Sequence, residues 1–148
     1  MGHSVYLDCC ALQRIFDDHS QPRIAVESEA VLRILKEAES GSVELITSEV
    51  LSLEVSDIPE GERKSSCQRI IRKSHQYVEL TPKVVELAKQ YESAGLKAMD
   101  SVHLACAVVA RTEFFCTCDD RLLDRAAKLN TELTRVCSLL ELVKELEL

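Results

Sequence analysis

Four acidic residues, Asp8, Glu54, Asp100 and Asp119, stand in surroundings where a carboxylate needs a reason. Asp8 falls between Val5-Tyr6-Leu7 and Cys9-Cys10-Ala11-Leu12, Asp119 follows Cys116-Thr117-Cys118, Asp100 opens the apolar stretch that runs through Val109, and Glu54 lies just beyond Val50-Leu51. Each also has an ordinary reading. Asp8 fits a helix cap, Asp100 a first-turn acid favoured by the helix dipole, and Glu54 a solvated helix residue like its neighbours Glu49 and Asp57. Asp119-Asp120 reads as a helix-start doublet of which one side chain can point back over a strand end. His103, three residues after Asp100, is placed to orient that carboxylate or to pack in a core. Three or more hard oxygen donors converging at one place would make a site for Mg²⁺ or Mn²⁺. A cation there offsets the mutual repulsion of the carboxylates and activates water for attack on a phosphate.

Convergence depends on the elements that carry these residues. Residues 4–8 read as a β-rich run ending in an acid, and residues 26–39 show apolar positions at helical spacing until Ser40-Gly41 stops them. Residues 43–47 read as a second strand, after which Ser48 is placed to cap a helix. A helix follows from Pro59 through about residue 74, then a strand over 77–80, then Thr81-Pro82 as cap and first helical position. That helix ends near Gly95. Residues 99–111 are apolar on nearly every side and predict a central, buried helix. A strand over 113–118, a helix over 119–129, a strand over 133–136 and a helix over 138–146 complete the chain. The alternation predicts an α/β sandwich, a mainly parallel sheet of about five strands with helices on both faces. In such sheets ligands collect at the carboxyl ends of the strands, where all four acids are expected.

The 148 residues, 46% of them apolar, are enough for one domain over residues 1–148 with its own core, which excludes disorder and miniprotein scaffolds. No apolar run reaches the roughly 18 residues of a membrane span, and the N-terminus lacks the pattern of a signal peptide. Seven cysteines, several in apolar segments, read as reduced thiols, so a soluble cytoplasmic protein is expected. The formal charge is −7, yet five basic residues, Arg63, Lys64, Arg69, Arg72 and Lys73, occur between positions 63 and 73 without an acid. They are either a solvated helix face or a surface that steers RNA.

Four segments, taken in order, resemble the PIN domain: Val5-Tyr6-Leu7-Asp8-Cys9-Cys10-Ala11-Leu12, Thr47-Ser48 through Leu53-Glu54-Val55, Met99-Asp100-Ser101-Val102-His103-Leu104-Ala105, and Cys116-Thr117-Cys118-Asp119. Together they span residues 4 to about 125 and are most similar to the VapC-type toxins of toxin–antitoxin pairs. The resemblance implies a PIN-like three-layer sandwich and a Mg²⁺- or Mn²⁺-dependent endoribonuclease. Asp8, Glu54, Asp100 and Asp119 would be its catalytic, metal-binding quartet, with Thr117 and His103 in support. Thr117 matches the family's Thr two residues before the last acid and selects Asp119 over Asp120. The resemblance also implies RNA as substrate, an antitoxin partner and a homodimer. One departure stands out, because many relatives carry Thr or Ser with Asn after the first Asp and this chain carries Cys9 and Cys10.

Other chemistries fit less well. A haloacid dehalogenase-type hydrolase needs a second Asp at position 10, and a low-molecular-weight phosphatase needs five residues between Cys9 and an Arg where Arg14 leaves four. No CxxC pair supports zinc. The remaining alternative is a non-catalytic module whose acidic cleft holds a basic peptide or protein partner. The apolar face of the last helix, with Leu139, Leu140, Leu142, Val143 and Leu146, suits either core or an interface.

Overall fold

A computed structural model describes residues 2–148. Five parallel strands form one sheet in the order β3-β2-β1-β4-β5, where β1 is His3–Leu7, β2 Val43–Ser48, β3 Gln76–Val78, β4 Phe114–Cys116 and β5 Arg135–Cys137. The helices are α1 (Cys9–Gln13), α2 (Pro22–Ser40), α3 (Glu49–Ser56), α4 (Glu62–Arg72), α5 (Pro82–Ser93), α6 (Ala98–Val109), α7 (Asp120–Ala126) and α8 (Leu139–Glu145).

The period-two alternation of β1 divides the core in two. Val5 and Leu7 point to one face, where α2, α4 and α8 contribute Val31, Ile34, Cys67, Leu139 and Leu142. Tyr6 points to the other, against Phe115 of β4 and the α5–α6 pair with Val84, Ala88 and Leu104. Helix α6 is buried along most of its length, as its apolar circumference predicts. Helix α3 sends Val50 to one core and Leu51 and Val55 to the other, so it lies across the carboxyl end of the sheet.

Punctuation read from the sequence holds well. Ser48 accepts from the Leu51 amide at 3.1 Å, Thr81 from the Val84 amide at 3.3 Å, and Gly41 ends α2 in the left-handed region at φ 88°. Replacing Thr81 with Ala should therefore lower stability by about 1 kcal/mol in urea denaturation, whereas a decorative cap would leave the midpoint unmoved.

The differences have local causes. Residues 9–16, to which the apolar pattern assigns no element, form α1 and a 3-10 turn over Arg14–Phe16, too short for periodicity to register. Helix α2 starts at Pro22 and α4 at Glu62, and β3, β4 and β5 each span only three residues, β3 and β5 at the edges of the sheet and β4 inside it. Glu49, expected as solvated, accepts from the Leu80 amide at 2.9 Å and so fixes the exit of β3.

Leu139 and Leu142 are core residues, whereas Leu140 is half exposed above α2, so α8 divides its apolar face between core and surface. All seven cysteines are free thiols. No helix among the described residues is long and apolar enough to cross a membrane.

Candidate active site

Strand β1 delivers Asp8 to the carboxyl end of the sheet, and Asp8 caps α1. Its Oδ1 accepts from the Ala11 amide at 3.0 Å and from the Cys10 thiol at 3.1 Å. The cap reading is thus true but incomplete. Only 5% of the residue is exposed, and burial pushes the carboxyl well above the usual carboxylate range, with the neighbouring Cys10 adding to the effect and a Thr117 hydrogen bond opposing it. A helix cap at the surface needs no such burial.

The register of β1 on β4 pairs Leu7 with Cys116, so Asp8 and Thr117 are the next residues on adjacent strands. The Asp119 amide donates to Thr117 Oγ1 at 3.1 Å, and Asp119 Oδ1 accepts from the amides of Arg121 and Leu122 at 2.9 and 3.3 Å. Asp120 is held elsewhere, its two oxygens taking Arg23 Nη1 and Nη2 at 2.9 and 2.8 Å. The doublet is thereby divided into one carboxylate neutralised by arginine and one that caps α7 through a single oxygen.

Asp100 lies half-buried in the first turn of α6. Its carboxyl is raised by burial first, then by the charge of Asp119 and, more weakly, of Glu54, while His103 and Lys97 act in the opposite sense. Those influences place Asp100, Asp119 and Glu54 in one electrostatic neighbourhood. Among the described residues, no Lys, Arg or His forms an ion pair with Asp8, Asp100 or Asp119.

His103 does not hydrogen-bond Asp100. One turn deeper on α6 and only 2% exposed, it meets Glu54 of α3 through Nε2 and the Tyr6 hydroxyl through Nδ1 at 2.6 Å. Tyr6 in turn lies 2.6 Å from Ser48 Oγ. As the side chains stand, no three His, Cys, Asp or Glu residues among those described are close enough to enclose an ion by themselves.

The basic run lies on α4 and its C-cap and is not uniform. Arg63 turns inward to Gln13 Oε1 at 3.1 Å, the Phe16 carbonyl at 2.7 Å and Asp17 at 3.2 Å, and Lys64 donates to the Ser56 carbonyl at 2.9 Å. These two side chains are occupied in docking α4. Arg69, Arg72 and Lys73 are exposed.

The all-parallel five-stranded sheet, with Asp8 and Asp119 following adjacent strands at its carboxyl end, is the frame of a PIN domain, and the chain belongs to that family: residues 5–129 match the PIN domain. PIN domains are in general nucleases that use divalent metals. Among solved structures, FitAcB from Neisseria gonorrhoeae is similar at a TM-score of 0.58 and 18% identity, over 92% of this chain and 98% of that one. PAE2754 from Pyrobaculum aerophilum is similar at a TM-score of 0.51 and 12% identity, over 99% of this chain and 98% of its own. At such identities the likeness is one of fold. No curated protein matches the chain.

Proposed function

We propose that this chain is a divalent-metal-dependent endoribonuclease, the toxin of a type II toxin–antitoxin pair, acting in the cytoplasm as a homodimer and restrained by an antitoxin protein. The observation that carries the reading is the set of acids at one sheet edge, of which Asp8, Asp100 and Asp119 have no cationic partner among the described residues. The donor set suits the group: all are hard carboxylate oxygens, and burial, joined at Asp100 by the charge of Asp119, disfavours the charged forms of Asp8 and Asp100 until a cation arrives.

Asp8, Glu54, Asp100 and Asp119 would hold Mg²⁺ or Mn²⁺. Mg²⁺ keeps several of its waters and is commonly bound through one or two carboxylates, which suits acids that do not close on an ion unaided. The bound ion would supply Lewis acidity and an activated water for phosphodiester hydrolysis. The chain's part is to hold these oxygens in a fixed frame. Thr117, beside Asp8 on the adjacent strand, accepts from the Asp119 amide, and the α1 and α7 amides fix one oxygen each of Asp8 and Asp119. Exposed Arg69, Arg72 and Lys73 would meet the RNA backbone, with Arg63 and Lys64 contributing charge from their docked positions.

Single-stranded RNA should be cleaved with Mn²⁺ or Mg²⁺ present, and EDTA should stop it. RNA that stays intact under both conditions, while an acidic-cleft binder of basic peptides is detected by titration, would favour the second reading, a non-catalytic module. Changing Arg69, Arg72 and Lys73 together to Ala should reduce the slope of log K against log salt for RNA binding by up to about 2, since each lost phosphate contact on single strands contributes about 0.7. An unchanged slope would return α4 to a solvated face.

A further inference from the structure

We propose that Tyr6 and His103 are positioning residues for Glu54, acting through a buried hydrogen-bond relay that starts at Ser48. The inference rests on the metal-site reading above and adds to it which groups aim one of its carboxylates. Four segments meet in the relay: Ser48 at the end of β2, Tyr6 in β1, His103 in α6 and Glu54 in α3. Tyr6 is 0% exposed and His103 2%, so neither finds water as an alternative partner.

The protons can be followed along it. An ionised carboxylate only accepts, so His103 Nε2 carries a proton and donates to Glu54 Oε1. In the neutral ring Nδ1 must then accept, the Tyr6 hydroxyl donates to it, and the Ser48 hydroxyl donates to Tyr6. Ser48 Oγ keeps a lone pair for the Leu51 amide, at 3.1 Å. Each donor is used once and no member is left unpaired, a condition under which buried networks are rigid.

Two consequences follow from the geometry. The same Ser48 oxygen that starts α3 also anchors the relay that ends on Glu54, so the helix and its functional side chain are set from one point in the sheet. The ring of Tyr6 is itself clamped, stacked on Phe115 with centroids 5.5 Å apart and planes 12° from parallel. Glu54, with 28% of its side chain exposed, would otherwise be free to sample rotamers over the cleft. Partners that orient a ligand in this way typically change metal affinity by about 10- to 100-fold when removed.

The test is Mn²⁺ titration, followed by the electron paramagnetic resonance signal of the free ion, on full-length wild type and five variants whose fold is checked by circular dichroism. His103→Leu should weaken binding by about 10- to 100-fold, and His103→Gln, which restores a donor toward Glu54, should recover most of that loss. Tyr6→Phe keeps the stacked ring and removes only the hydroxyl, so it carries the test should His103→Leu not fold. It should weaken binding by about three- to tenfold, because His103 keeps its contact with Glu54 but loses its own anchor. In a Glu54→Ala background the His103→Leu change should have no further effect, which a general loosening of the core would not reproduce. Affinities of His103→Leu and Tyr6→Phe within about twofold of wild type, or an undiminished His103→Leu loss when Glu54 is already absent, would overturn the relay. Wild type that shows no saturable Mn²⁺ binding would instead overturn the metal reading itself.

Discussion

Replacing Asp8 with Asn is expected to stabilise the metal-free protein by about 1 kcal/mol and to remove its response to Mn²⁺. Asn caps a helix about as well as Asp, so the bond from the Ala11 amide survives, and what disappears is a buried charge that the fold does not compensate. The sign follows from linkage. Burial raises the folded-state pKa of Asp8 above its unfolded value, so the folded protein binds the proton more tightly than the unfolded chain does. Wild type therefore has its full stability below the unfolded pKa of about 3.9 and loses part of it as pH rises toward the folded value. The advantage of Asn should be absent in strong acid, grow as pH rises and level off once the folded carboxyl has ionised. Urea denaturation in EDTA across that range measures it. With Mn²⁺ added, wild type should gain stability by mass action and the variant far less. Its RNA cleavage should fall by about a hundredfold or more, the equivalent of about 3 kcal/mol of transition-state stabilisation. An Asp8→Asn variant that is less stable than wild type at neutral pH in EDTA would show that Asp8 is retained as a structural charge.

The second large effect belongs to a buried acid of α2. Glu27 of α2 is 3% exposed and accepts from Arg14 Nη2 at 2.8 Å and Nε at 3.0 Å, with Arg23 Nε at 3.4 Å. Arg14 continues to Asp17 at 3.2 Å, Asp17 to Arg63 of α4, and Arg23 to Asp120 and the Cys118 carbonyl. This chain of alternating charges ties α4, the 3-10 turn, α2 and the start of α7 together. Glu27→Ala should destabilise the protein by about 3 kcal/mol, the low end of the range for breaking a buried pair, because Arg14 keeps Asp17. The expected observation is a lower urea midpoint with an unchanged m-value. A loss under about 1 kcal/mol would mean that water replaces Glu27 around Arg14 at little cost.

The layered α/β architecture could be read from the chain because its signals are local. Val5-Tyr6-Leu7 alternate between two faces, Ser48 and Thr81-Pro82 announce helix starts, and Gly41 announces a stop. Three of the acids stand at positions that local signals mark, since Asp8 and Asp119 follow strands and Asp100 lies in the first turn of a helix, whereas Glu54 lies in the body of α3 and nothing local sets it apart. What escaped depends on pairings between distant residues. Nothing in the neighbourhood of Glu27 shows that a helical acid faces inward to Arg14, and the spacing of Asp100 and His103 suggested a bond that burial redirects to Glu54, forty-nine positions away. The charge run from Arg63 to Lys73 looked uniform because composition does not distinguish an arginine folded back onto Phe16 from one facing solvent.

The strand order has a kinetic consequence. Val5 pairs with both Leu45 and Phe114, so the central strand, made first, has one of its two neighbours only after most of the chain has been synthesised. At about 5–20 residues per second, translation takes roughly 5–25 s to pass from Asp8 to Asp119. During that interval the acids that follow β1 and β4 cannot come together, and under the proposed function a nascent chain would carry no complete site with which to attack the RNA around it. The same delay leaves Val5, Tyr6 and Leu7, which end as core residues, on a strand with one open edge. Such an edge invites pairing with another chain, so newly made protein should be most prone to aggregation before β4 arrives and least so once it has docked.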